Sequence, residues 1–131
     1  MTSFLSAEEV VAIHDRVAPE APLLDRGKLD GGVDRAKVSF DGVFLHETIY
    51  EQASVVLHGI CAAHAFLDGN KRTAWVSAMT FLGVNGVAIR DVDTETWVSY
   101  VEGVARGDHS EQDTAIWFAA LDPANQRPIG E

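Results

Sequence analysis

Residues 47–84 read ETIYEQASVVLHGICAAHAFLDGNKRTAWVSAMTFLGV, and this stretch decides the fold. Ile49, Ala53, Val56, Leu57 and Ile60 recur at i, i+4, i+7, i+8 and i+11, the spacing of one buried helical face. Extending the stripe brings His64 close to the same face, so His64 is expected to end a buried helix and point inward. After the AFLDG loop, Ala74, Trp75, Ala78, Met79, Phe81 and Leu82 cover much of a second helix, from about Asn70 to Val84, with Asn85-Gly86 as its stop. Two apolar helices joined by a polar loop form the centre.

Working outward, Ser6 and Glu9 form a capping box for a helix over about 6–18, ended by Pro19 and Pro22. Leu29 to Lys37 reads as a short helix weakened by Gly31 and Gly32. In KVSFDGVFL the pair Asp41-Gly42 separates two short apolar runs and predicts a two-residue hairpin over 38–45. Asp93 caps a helix carrying Trp97, Tyr100, Val101 and Val104, and Ser110 caps one carrying Ile116, Trp117, Ala120 and Leu121. The expected class is all-α, a compact helical bundle with one small β-hairpin, in a single domain over 1–121. DPANQRPIGE, residues 122–131, reads as a polar, fraying tail.

The chain has 131 residues, and a net charge of −10 argues against sequence-independent binding to nucleic acid or to an anionic membrane. Any phosphate site must therefore be local. Cys61 is the single cysteine and sits in an apolar segment, so no disulfide framework is expected and a reducing cytoplasm is the simplest compartment. The first residues lack a basic, secretory-type leader, and no segment approaches the roughly 20 apolar residues of a membrane span.

The loop itself, HAFLDGNKR, crowds His64, Asp68, Asn70, Lys71 and Arg72 into nine positions. The last three fall in the first turn of a helix, where free N–H groups and the macrodipole already favour an anion. A lysine point charge and an arginine fork make that turn a phosphate site. Gly69 permits close backbone approach, Asp68 offers a hard oxygen for Mg²⁺ beside the phosphates, and Phe66 pins the loop. His64 has the unperturbed pKa of a general base for an incoming hydroxyl. A base, a metal carboxylate and a cationic anion hole together describe phosphoryl or nucleotidyl transfer. A zinc reading of the His64 and Asp68 spacing is weaker, since Cys61 is the only soft ligand nearby and is expected to face elsewhere.

Other notable residues read as structural. His14 on an apolar helix face is a packed or hydrogen-bonded core histidine, with a supporting contact to the loop as the alternative. His46 belongs to the hairpin's end, His58 to the solvent side of its helix and His109 to a turn. Trp75, Trp97 and Trp117 are core or groove aromatics.

The motif resembles that of the Fic/Doc family, HPFxDGNGR in most members and HxFxDxNKR in the death-on-curing toxins. The second form is matched at His64, Phe66, Asp68, Asn70, Lys71 and Arg72, and EEVVAIH, LLDRGKLDGGVDRAK and KRTAWVSAMTFLGVNG follow the Doc layout in order. The resemblance implies a Fic fold and a Doc-type toxin. His64, Asp68 and Arg72 would be catalytic, with Asp68 on Mg²⁺, and Gly69, Asn70, Lys71 and Arg72 would bind the phosphates of ATP. The hairpin, with Val38, Phe40, Asp41, Gly42 and Val43, would be a flap that docks the target by strand addition. Doc toxins transfer the γ-phosphate to a Ser/Thr hydroxyl, with elongation factor Tu as the translation-factor target, whereas most Fic proteins transfer AMP. Nucleotidyl transfer and a catalytically silent binding protein are the alternatives.

Three departures stand out. Ala65 replaces the common proline, KLDGGVDRAK carries two glycines near the flap, and Gln52 replaces a frequent lysine; the last two bear on target choice. The inhibitory string [ST]xxxE[GN] of the wider family is missing, Ser99 to Gly103 coming one residue short. A separate antitoxin is therefore implied, and the acidic surface would suit a basic segment of it.

Overall fold

The computed structural model describes residues 2–40 and 43–125. The elements run α1 Ala7–Val17, α2 Arg26–Asp34, a 3₁₀ turn Arg35–Lys37, β1 Ser39–Phe40, β2 Val43–Phe44, α3 Ile49–Ala63, α4 Asn70–Val84, α5 Thr94–Arg106, α6 Glu111–Leu121 and a 3₁₀ turn Pro123–Asn125. The expected all-α class holds. β1 and β2 pair antiparallel, Ser39 opposite Phe44 and Phe40 opposite Val43. The turn residues Asp41 and Gly42, and residues 126–131, lie outside the described part.

α3 and α4 lie side by side at the centre; α2 and α6 pack on α3, and α1 and α5 on α4. Leu57, Ile60, Phe81 and Leu82 are essentially inaccessible in the shared core, each contributing roughly 1.5–3 kcal/mol through burial. The capping box of α1 forms, Ser6 Oγ accepting from the Glu9 N–H and Glu9 Oε1 from the Ser6 N–H. Among the described residues no helix is long and apolar enough to cross a membrane.

Several local expectations change. α2 begins at Arg26 rather than Leu29, because the Asp25 carboxylate accepts from the Lys28 N–H at 3.0 Å and supplies the start signal. Gly31 has open space around it, but Gly32 is not simply loosening. A Cβ on Gly32 would come within 2.5 Å of the Gly59 carbonyl oxygen, so the pair Gly32 and Gly59 lets the α2 and α3 backbones touch. Asp93 precedes α5 without a side-chain capping bond.

His58 is not on the solvent side of α3. Its Nε2 lies 2.9 Å from Thr114 Oγ1 on α6, which also bonds the Tyr100 hydroxyl at 2.8 Å and the Ser110 carbonyl at 3.2 Å. A threonine hydroxyl has one proton; Thr114 donates it to the Ser110 carbonyl, so His58 and Tyr100 must both donate to Thr114. Residues 122–125 do not fray either. The Tyr50 hydroxyl donates to the buried Asp122 carboxylate at 2.6 Å, and Asn125 bonds both Tyr50 and the Ala119 carbonyl.

Candidate active site

α3 ends at Ala63, and His64 follows as its C-cap in the left-handed region at φ 45° and ψ 46°. A non-glycine residue there costs about 1–3 kcal/mol and persists only where its surroundings hold it. The consequence corrects the inward-pointing expectation: the left-handed cap swings the chain off the apolar stripe, and His64 is exposed on the rim of a cleft.

The chain after His64 is held on both sides. The Ala65 carbonyl accepts from the Leu24 and Asp25 N–H groups at 2.7 and 3.1 Å, and the Leu67 N–H donates to the Pro22 carbonyl at 3.0 Å. Leu23 and Phe66 thereby form an antiparallel bridge. Phe66 is 1% exposed and lies flat against the His14 ring, with centroids 3.7 Å apart. The Asn70 side chain closes the loop from within, Oδ1 accepting from the Phe66 N–H at 3.1 Å and Nδ2 donating to the Phe66 carbonyl at 2.8 Å. Both ends of that amide are used on the loop. Asn70 can therefore meet a phosphate through its backbone N–H, while its buried amide shapes the turn.

Gly69 is the N-cap of α4 at φ 83°, and a Cβ there would lie 2.7 Å from that of Ala18. Only glycine meets both demands. Beyond it, the first-turn N–H groups of α4 have no partner within the helix. Lys71 and Arg72 are exposed beside them. Arg26, Arg35, Lys37 and Arg106 each have a carboxylate within ion-pair distance. Among the described residues Lys71 and Arg72 have none, so two free cations stand at the positive end of a helix.

The cleft has a volume of about 450 Å³ and gathers His64, Leu67, Asp68, Gly69, Asn70, Lys71 and Arg72 on one side. Val17 at the end of α1, Ala18 and Glu20 after it, Cys61 of α3, and Trp97, Val98, Val101 and Ala105 of α5 form the rest of its wall. Burial pushes the Cys61 thiol up to about 11, with the Lys71 charge opposing more weakly. Cys61 is thus a neutral wall residue at ordinary pH. The sequence does not assign the α5 face to this cleft. Its signal was there, since Trp97, Val101 and Ala105 stand at i, i+4 and i+8, but it reads equally as core. Trp97 serves both purposes, stacking on Trp75 at 5.4 Å while lining the cleft.

Of the hairpin region, the described side chains of Val38, Phe44 and Leu45 do not line the cleft, and the Phe44 ring meets Phe4 at 5.2 Å, which stacks on Phe81. Phe81 lies eleven residues beyond Asn70 on α4, roughly 16 Å along the helix axis. Gln52, in the place of the frequent lysine, is 2% exposed and donates to the His46 carbonyl at 2.9 Å, tying α3 to the hairpin's exit.

The donor set fits a phosphate-borne cation. Asp68 is exposed and uses Oδ1 to accept from the Gly69 N–H at 2.8 Å, which leaves Oδ2 free of that bond. Among the described residues no three His, Cys, Asp or Glu side chains converge as a metal group. One carboxylate beside a phosphate cradle is how Mg²⁺ is commonly held, in contrast to a dedicated all-protein cage.

A left-handed histidine cap, a glycine-started helix carrying free cations and an acidic side chain between them meet in one cleft of a helical fold. The chain belongs to the Fic/DOC family, whose model matches residues 4–82. It is similar to a protein named Toxin Doc from Mycolicibacterium smegmatis, 33% identical over 128 residues that span 96% of this chain and 98% of the relative. It is also similar to one named Protein kinase doc from Escherichia phage P1, 30% identical over 117 residues, 85% of this chain and 89% of that protein.

Proposed function

We propose that this protein is the toxin of a toxin–antitoxin pair, a Doc-like protein kinase that moves the γ-phosphate of ATP to a Ser/Thr hydroxyl of a translation factor of the elongation factor Tu kind. The observation that carries the reading is the meeting of His64 with the open N-terminus of α4, Lys71 and Arg72 in one cleft. His64 takes the proton of the target hydroxyl, whose oxygen then bonds the γ-phosphorus as the bond to the bridging oxygen breaks and ADP leaves. Arg72 and the first-turn N–H groups hold the charge on the transferred group, a stabilisation that needs no rearrangement during the step. Lys71, where AMP-transferring relatives keep glycine, crowds and recharges the pocket and so decides which phosphate faces His64. When bound, Mg²⁺ neutralises the phosphate oxygens, and Asp68 is the residue that would hold it.

A separate antitoxin and a hairpin flap belong to the same proposal. The antitoxin is supported by the absence of the inhibitory string and by the name of the mycobacterial relative. A target strand on the hairpin's edge would need on the order of five extended residues to reach from Phe81's level to the cleft. Induced expression tests the whole reading. Growth arrest with phosphate, and no AMP, on the modified protein by mass spectrometry is the expected result. An AMP adduct favours nucleotidyl transfer, and arrest that survives His64→Ala favours a silent binding protein.

A further inference from the structure

His14 is fully buried on α1, yet it spends one ring nitrogen on the catalytic loop and leaves the other without a hydrogen-bond partner. Its Nε2 lies 2.8 Å from the Asp68 carbonyl oxygen. A carbonyl only accepts, so Nε2 carries the proton and, in the neutral ring, Nδ1 is a bare lone pair. The Asp15 Oδ1 oxygen lies 3.5 Å from Nδ1 and is itself an acceptor. A phenylalanine would fill the same space against Phe66 without burying an unpaired nitrogen. Something other than packing therefore accounts for the imidazole.

That carbonyl belongs to the peptide unit between Asp68 and Gly69, and the unit is planar. Its other end is the Gly69 N–H, which donates to Asp68 Oδ1 at 2.8 Å. Fixing the carbonyl thus fixes the N–H, and the N–H fixes the carboxylate. The same ring bounds Gly69 itself, since a Cβ there would sit 3.4 Å from His14 Cδ2 and Nε2. One buried side chain reaches Phe66, Asp68 and Gly69, three of the nine loop positions.

We infer that His14 is a positioning residue, whose Nε2–H sets the Asp68–Gly69 peptide and through it the free carboxylate oxygen and the first N–H groups of α4. The inference rests on the phosphoryl-transfer reading for its consequence and on hydrogen-bond geometry for its cause. His14 acts through Asp68 and touches no substrate.

Two variants separate the donor from the ring. His14→Phe keeps the stack and loses the proton; His14→Gln keeps an N–H near the Nε2 position and loses the aromatic ring. With γ-labelled ATP, His14→Phe should cost about 10- to 100-fold in kcat or in the Mg²⁺ concentration for half-activity, the range for residues that orient metal ligands, with an unchanged or raised Tm. His14→Gln should restore much of the loss. Amide exchange at Gly69 gives a readout independent of activity, and should quicken by about tenfold in His14→Phe but not in His14→Gln, the donated bond being what holds the peptide. Unchanged kinetics and exchange in His14→Phe, or equal losses in both variants, would overturn the inference. Wild-type protein inert with ATP would sink the functional reading instead, and the Gly69 exchange rates would still decide the role of His14.

Discussion

The Asn70 amide bonds both the N–H and the C=O of Phe66, at 3.1 and 2.8 Å, with Asn70 only 7% exposed. The residue that looks most like a phosphate ligand in the motif is, by its side chain, a clasp on the loop. Asn70→Ala strands both groups of Phe66 away from water, and each unsatisfied buried group costs about 1–3 kcal/mol. Urea denaturation should show a loss in that range, with label transfer falling alongside. Asn70→Asp keeps the acceptor, loses the donor and adds a negative charge beside the phosphates, so it should be nearly inactive.

Gly69 makes a second demand on the loop. Alanine there must hold φ 83° and place a methyl 2.7 Å from the Ala18 Cβ. Gly69→Ala should destabilise by about 2 kcal/mol and cost activity as well, because relief of the clash moves the start of α4. Thermal melts and label transfer on the same preparation check both parts.

Outside the cleft lining, burial holds the pKa of His58 below its ordinary 6.5; Glu111 opposes the shift, and Arg35 and His109 reinforce it. The unfolded chain then binds the proton more readily than the folded one, so stability rises with pH through this window. In the other direction, stability is lost as pH falls below about 6.5 and through the lower folded value, levelling beneath it. His58→Gln keeps a donor for Thr114 and removes the titration. Urea midpoints measured across this range should slope for the wild type and flatten for the variant.

The α5 wall offers a test of where the nucleotide lies. Ala105 is exposed and lines the cleft, so Ala105→Trp can fill it without touching the core. Stability should stay within about 0.5 kcal/mol, as for surface substitutions generally, while KM for ATP rises. An unchanged KM would place the nucleotide off this wall.

Much of the fold was legible because its signals are local. The capping box at Ser6 and Glu9 announces α1, and Gly69 and Asn85 bracket α4 at its observed ends. What depended on distant packing was not legible. His58 faces α6 only because Thr114, 56 residues on, supplies a partner. The expected inward turn of His64 failed because periodicity assumes the helix continues, whereas a left-handed cap ends it. The motif residues could be read as chemistry, since their types and spacing are contiguous. Trp97, Val98, Val101 and Ala105 could not be assigned to the same cleft, which exists only once α5 lies beside α4.

Transfer of label from ATP to protein in a cell lysate tests the central claim most directly, with α- and γ-labelled nucleotide compared side by side. Label should reach protein from the γ position alone, and be lost in His64→Ala and in Arg72→Ala. Label retained from the α position, or γ-labelling that persists in His64→Ala, would contradict it.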